Sequence, residues 1–193
     1  MLRALLLAAL AALAAAAALL AGQDAEATPP APVTVFLLRH AETAADTRTD
    51  RDPALSPAGA SRAEAVARLL GEAGVTHLFC SEYRRTRDTL APLAEKAGLE
   101  TRAFGAADAA PLLEQLRGLP PGAVAVVAGH SNTVPALVET LSGAPVGGLE
   151  RGAIAHDQHD RLFLVVLPTA GAAARRLELA VGAPPPQAGR PSR

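Results

Sequence analysis

"AVAVVAG" (residues 123–129) is a run of seven residues without one polar side chain. No alternation of apolar and polar positions marks a solvent-facing side. The run therefore predicts a strand covered on both faces, in the middle of a parallel sheet. Parallel neighbours require long crossover connections, usually helices, and the flanking sequence supplies them. "VTVFLL" (33–38) and "VTHLFC" (75–80) predict two further strands, and "LETRAF" (99–104) a weaker one. "SPAGASRAEAVARLLGEAG" (56–74) predicts a helix, with Ser56 as N-cap, Pro57 in the first turn and glycines at its end. "EYRRTRDTLAPLAEKAG" (82–98) predicts a second helix, kinked at Pro92. "AAPLLEQLRGL" (109–119) gives a short helix, and "NTVPALVETLSG" (132–143) another, with Asn132 as its cap. "RLFLVVLP" (161–168) and "RRLELAV" (175–181) predict a last pair of strands. This order predicts an α/β protein: a three-layer α/β/α sandwich with a mostly parallel central sheet.

The chain has 193 residues, 50% hydrophobic and 19% charged, with a formal net charge of −1. It can build a core, and no basic excess points to nucleic acid. Aromatic residues make up 3%, so the core must be made of Ala, Leu and Val. The start differs from the rest. Arg3 precedes a long Ala/Leu run that ends in "AEA" (25–27), the layout of a secretory signal with cleavage expected after Ala27. An uncleaved membrane anchor is the competing reading. With cleavage, the protein is expected in the periplasm or outside the cell, with no stable membrane association. Residues 28–32, "TPPAP", are expected to form a linker, 33–181 the folded domain, and the Pro/Gly-rich 182–193 a disordered tail. Cys80 is the single cysteine, so an exported chain has no internal disulfide, and a buried inert thiol is expected.

In open α/β sheets, ligands bind beyond the carboxyl ends of the strands. Arg39-His40 follows the strand at 33–38, Ser81–Arg85 the strand at 75–80, and Gly129-His130-Ser131-Asn132 the strand at 123–128. These three clusters are expected to meet at one edge. Arg39 and Arg85, with the two histidines His40 and His130, are the residues that matter there. Guanidinium forks match the oxygens of a phosphate dianion, and helix N-termini add free N–H groups. A neutral imidazole can accept a phosphoryl group in line, while the arginines neutralise charge on the equatorial oxygens. A metal held by the histidines is the alternative, but two flanking guanidiniums would repel it.

The sequence resembles the histidine phosphatase superfamily, the phosphoglycerate-mutase-like group. That family opens with Arg-His-Gly after its first strand; here the stretch is "RHAETAAD" (39–46). Its Leu-Ser/Thr-x-x-Gly helix start is "LSPAG" (55–59), its Ser-x-x-x-Arg segment is "SEYRRTRDT" (81–89), and its Gly-His with a small polar pair is "GHSN" (129–132). The resemblance runs from about Val33 to Leu167. It implies that His40 becomes phosphohistidine, that Arg39 and Arg85 clamp the phosphoryl oxygens, and that His130 hydrogen-bonds the same group. It places Arg85 rather than Arg84 at the catalytic position. Thr43 and Asn132 are implied as rim contacts to a small phosphorylated substrate. No cofactor and no metal are implied.

The sequence departs from the family in three places. Ala41 replaces a Gly, tolerable where the backbone does not need positive φ. Asp46 stands where Asn is common. The family's Glu-containing acid segment is missing from "FGAADAAPLLEQLRGLPPG" (104–122). Asp108 is the best acid left there, or else the N-cap of the helix that follows it; Glu82 and Glu114 are weaker candidates. The short connector resembles the compact branch with phosphohistidine phosphatases and argues against a mutase. His77 is expected to serve packing. His156 and His159 are read as a turn bordering the pocket, with a metal pair as the alternative. Two functions stay open: an exported phosphatase of phosphomonoesters or phosphoramidates acting through His40, or a periplasmic phosphate-ester binding or sensing protein with little turnover.

Overall fold

Alternate residues of the strand Val124–Gly129 enter two different hydrophobic cores. Ala125 and Val127 join one, Val126 and Ala128 the other, and all four are fully buried. This is the reason the run carries no polar side chain. The computed structural model describes residues 30–44, 50–168 and 173–181. The expected leader, the first two linker residues and the expected tail lie outside the described residues, as does Asp46.

In chain order the elements are β1 (Val33–Arg39), α1 (Pro57–Leu70), β2 (His77–Ser81), α2 (Arg84–Ala97), β3 (Thr101–Phe104), α3 (Ala110–Arg117), β4 (Val124–Gly129), α4 (Thr133–Ser142), β5 (Arg161–Leu167) and β6 (Arg175–Ala180). The six strands form one sheet in the order β3-β2-β4-β1-β5-β6. β3, β2, β4 and β1 pair in parallel. β5 and β6 add an antiparallel edge. Side chains of α1 and α2 fill one face of the sheet with Val66, Ala67, Leu70, Leu90 and Leu93. Side chains of α3 and α4 fill the other with Leu112, Leu116, Val134, Leu137 and Val138. The expected three-layer sandwich is the observed one. Full burial of one such Leu or Val contributes about 1.5–3 kcal/mol.

The local signals act mostly as expected. Ser56 Oγ accepts from the amide of Gly59 at 3.1 Å, with Pro57 opening α1. The α1 stripe Ala63, Val66, Ala67, Leu70 is the i, i+3, i+4, i+7 set that one helical face requires. α2 carries Pro92 inside it, runs to Ala97 and ends at Gly98, whose φ of +64° takes the left-handed cap. One detail differs: Asn132 holds the N-cap position of α4 without a capping side-chain bond. Its φ and ψ of −96° and −37° are already helical. The Thr133 hydroxyl accepts from the His130 amide at 2.9 Å instead, so the turn tightens directly after His130.

That β1, β2 and β4 lie side by side decides where the chemistry goes. Their carboxyl ends lie next to one another, and each is followed directly by one of the polar clusters. Gly129 permits the close approach there: a Cβ on it would stand 2.9 Å from Thr133 Oγ1 and 3.0 Å from Val134 Cγ2.

Candidate active site

A cavity of about 1060 Å³ opens at these strand ends, lined among others by Arg39, His40, Thr43, Arg85, His130 and Asn132. The structure thus brings together Arg39, His40, Thr43, Arg85, His130 and Asn132, but none of the acid candidates Asp108, Glu82 and Glu114.

His40 continues β1 by one more ladder bond, its amide donating to Gly129 O at 2.8 Å. The ring is buried, with Nδ1 2.8 Å from Ala41 O. A carbonyl only accepts, so Nδ1 carries the proton and Nε2 keeps its lone pair. Burial, and then the charge of Arg39 with His130 and Arg85, pushes the His40 pKa down to about 3, against the pull of the Ala41 carbonyl. The ring is therefore neutral at pH 7 and nucleophilic at Nε2. Ala41 is fully buried, and Arg151 is the one non-glycine with positive φ among the described residues. The backbone at 41 therefore makes no demand that only glycine meets. The Ala41 amide donates to Thr89 Oγ1 at 2.9 Å, and Thr89 donates to Arg85 O at 2.7 Å. One hydroxyl on α2 thus joins the first cluster to the second.

Arg39 is 6% exposed. Its Nη1 donates to Ala155 O at 2.9 Å, His156 O at 3.0 Å and Gln158 O at 3.3 Å. Its Nε is buried without a partner. Arg85 lies over the Tyr83 ring, 4.3 Å from the centroid, in cation–π geometry. Its Nη1 donates to Arg51 O at 3.0 Å and lies 3.6 Å from Asp52 Oδ1. Its Nε is likewise buried and unpartnered. Each guanidinium that lines the cavity thus keeps one buried N–H without an acceptor, and a cavity walled by two cations suits an anion. Arg84 and Arg87 are exposed, Arg84 pairing with Asp88 at 3.1 Å.

His130 completes the set. Its ring centroid is 5.5 Å from that of His40, and Tyr83 meets it edge-on at 5.1 Å. Arg85 Nη2 stands 3.4 Å from Nδ1 and can only donate, so Nε2 carries the proton and donates to Ser81 Oγ at 2.8 Å. Ser81 passes the chain to Thr86 Oγ1 at 2.9 Å, which donates to Tyr83 O at 2.7 Å. Burial and then Arg85 push the His130 pKa down to about 4.

The acids stand elsewhere. Asp108 is exposed at the start of α3, where Oδ1 accepts from the Ala110 amide at 3.1 Å. It stands one residue before the N-cap, Ala109, and does not line the cavity. Glu82 is exposed and accepts from the Ala106 amide at 2.8 Å, and Glu114 lies exposed on α3. Glu42 does line the cavity, but Arg62 holds it in a forked pair, with Nη2 at 2.6 Å and Nε at 2.9 and 3.0 Å. Burial draws the Glu42 carboxyl upward, yet the Arg62 pair outweighs it and keeps it below the usual carboxylate range. The same segment explains "LSPAG": a Cβ at Gly59 would stand 2.1 Å from Glu42 O, so α1 can start against residue 42 only with glycine there. His156 and His159 border the cavity, as a turn does. Among the described residues no group of three or more His, Cys, Asp or Glu is placed to hold a metal ion.

Sequence reasoning missed Tyr83, the hydroxyls of Thr86 and Thr89, the Glu42–Arg62 fork and the contact of His159 with His40. Thr86 and Thr89 carried a signal, being three residues apart on one face of α2 beside Arg85. His159 carried none, because its partner is 119 residues away.

Residues 35–105 match the histidine phosphatase superfamily (branch 1), the stretch that holds Arg39, His40 and Arg85. The fold is that of solved histidine phosphatases. The protein histidine phosphatase SixA, complexed with tungstate, superposes with a TM-score of 0.61 at 18% identity, covering 76% of this chain and 96% of its own. A mycobacterial glucosyl-3-phosphoglycerate phosphatase, in complex with VO3, gives 0.57 at 20% identity, covering 78% and 99%. A mycobacterial hydrolase gives 0.58 at 17% identity, covering 78% and 92%. No curated protein matches the chain. His130 lies beyond the matched stretch and joins the site through geometry alone.

Proposed function

We propose, with the histidine phosphatase superfamily as premise, that this protein is a phosphatase that hydrolyses phosphomonoesters or phosphoramidates through a phosphohistidine on His40. One observation carries the reading: a neutral imidazole with a free Nε2 stands beside two buried guanidinium N–H groups that lack acceptors. A phosphoryl group seated there gives Arg39 Nε and Arg85 Nε the acceptors they lack. His40 Nε2 attacks phosphorus in line, the bond from phosphorus to the leaving oxygen or nitrogen breaks, and the leaving group departs with the electron pair. Arg39 and Arg85 offset charge on the equatorial oxygens, and the Ser81–His130 pair holds the wall beside them. Water then attacks the phosphohistidine, releases orthophosphate and restores His40. That two similar structures hold tungstate and VO3 supports an oxyanion occupant. The substrate is expected to be a small phosphorylated molecule, as the cavity of about 1060 Å³ admits.

Replacing His40 with Ala should lower hydrolysis of an aryl phosphate by about 10⁴-fold or more. Activity equal to the wild type would contradict the reading. One observation favours the second reading, a phosphate-ester binder with little turnover: the cavity's half-buried carboxylate, Glu42, is committed to Arg62. A binder takes up phosphate yet forms no acid-labile phosphoenzyme.

Export is part of the proposal and rests on Arg3, the Ala/Leu run and "AEA" at 25–27. It predicts a mature chain that begins at Thr28 when the full sequence is expressed in a bacterium; a chain retaining its first residues contradicts it. No helix among the described residues is long and apolar enough to cross a membrane.

A further inference from the structure

A phosphohistidine route leaves one proton without an owner. When water attacks the phosphoenzyme, a base must take its proton; Asp157 on the rim is exposed, and three other carboxylates are held by other groups. Glu42 is forked onto Arg62, Asp108 serves the start of α3 and Glu82 accepts from the Ala106 amide.

A third imidazole stands beside the nucleophile. His159 lines the cavity, half-buried, with its ring centroid 5.7 Å from that of His40. That separation nearly equals the 5.5 Å between His40 and His130. His159 Nδ1 lies 2.9 Å from the backbone oxygen of His40. The carbonyl can only accept, so Nδ1 carries the proton and Nε2 keeps a lone pair. The bond fixes both the tautomer and the ring's place next to residue 40.

Resting on the phosphatase reading above, we infer that His159 is the general base of the second half-reaction. The oxygen of water forms a bond to phosphorus, the bond from phosphorus to His40 Nε2 breaks, and its electron pair returns to the ring. The water proton passes to His159 Nε2 and from there to solvent. The groups around His159 suit a base. Arg39 and His40 face it from the end of β1, Glu42 from the segment after it and Arg62 from α1. Burial, and then the charge of Arg39 and Arg62, lowers its pKa against the pull of the His40 carbonyl and of Glu42, so the ring is neutral at pH 7.

The test separates the two half-reactions with full-length protein and an aryl phosphate, by rapid quench. His159→Asn keeps an N–H that can reach the His40 carbonyl but has no basic nitrogen. It should form phosphoenzyme within about twofold of the wild-type rate and lose about 10²-fold in phosphoenzyme decay, so that phosphohistidine accumulates. Wild-type decay should slow as pH falls and His159 takes a proton; decay in the variant should show no such slowing and follow only the acid lability of the phosphohistidine itself. Asp157 is exposed on the same rim, so Asp157→Asn is the control and should decay like the wild type. Wild-type decay in His159→Asn, a stall in Asp157→Asn alone, or loss of the phosphorylation step in His159→Asn would each overturn the assignment. Should the variant not fold, wild-type decay that does not slow toward acid overturns it without any variant. A wild-type protein that forms no phosphoenzyme overturns the phosphatase reading as well, so the two failures are distinguishable.

Discussion

The two guanidiniums of the cavity are held in opposite ways. Arg39 is buried at the end of a central strand, and its Nη1 binds three backbone carbonyls of residues 155–158. Arg85 lies at the start of a helix, over an aromatic ring, with one terminal nitrogen directed at Arg51 O and the carboxylate of Asp52. Each nevertheless leaves its Nε buried and unpartnered. The difference teaches that Arg39 both binds and builds, tying the loop of His156 and His159 to the sheet, whereas Arg85 mainly binds.

Truncation breaks that comparison most strongly. Arg85→Ala should lower turnover by about 10²–10³-fold, the usual loss for a charge-stabilising donor, while the thermal midpoint stays near the wild type. Arg39→Ala should lose at least as much activity. It should also lose about 1–3 kcal/mol of stability, because the loop of residues 155–158 loses the three side-chain hydrogen bonds that tie it to the end of β1. Equal melting curves for the two variants would remove the distinction.

The pH dependence of stability sharpens it further, with a smaller effect. His40 and His130 have folded-state values of about 3 and about 4, below the free imidazole. Their pKa values are depressed in the fold, so between those values and about 6.5 the unfolded chain binds protons that the folded chain does not. Their contribution is complete above about pH 6.5 and is lost as pH falls. By pH 5 His40 alone should cost about 2 kcal/mol, at roughly 1.4 kcal/mol per pH unit. Urea midpoints measured from pH 7 to pH 5 should fall. His40→Asn should fall less steeply, since one of the depressed imidazoles is gone. A slope equal to the wild type would mean that His40 is not held neutral by its surroundings.

Much of this was legible in the sequence, for physical reasons. "AVAVVAG" had to be a central strand, because each of its faces meets a separate core. The same rule that places ligands at strand ends brought Arg39-His40, Arg85 and His130 together from separate parts of the chain. Other features depended on geometry that local sequence does not carry. Asn132 had the chemistry of a cap but took helical angles, leaving the work to Thr133. Asp108 had the charge of an acid, but its place at the head of α3 gave it a backbone amide to hold. His159 looked like one histidine in a turn; a contact across 119 residues sets it beside His40. Glu42 stood next to the catalytic candidates in sequence, yet Arg62 on α1 claims it.

The most direct test of the central claim is the trapping and mapping of the covalent intermediate. After brief mixing with an aryl phosphate and an alkaline quench, digestion and mass spectrometry should find one phosphoryl group, on His40. It should be stable in base, released in acid and absent from His40→Ala. A phosphoryl group mapped to another residue, or turnover with no phosphohistidine at any time, would contradict the account.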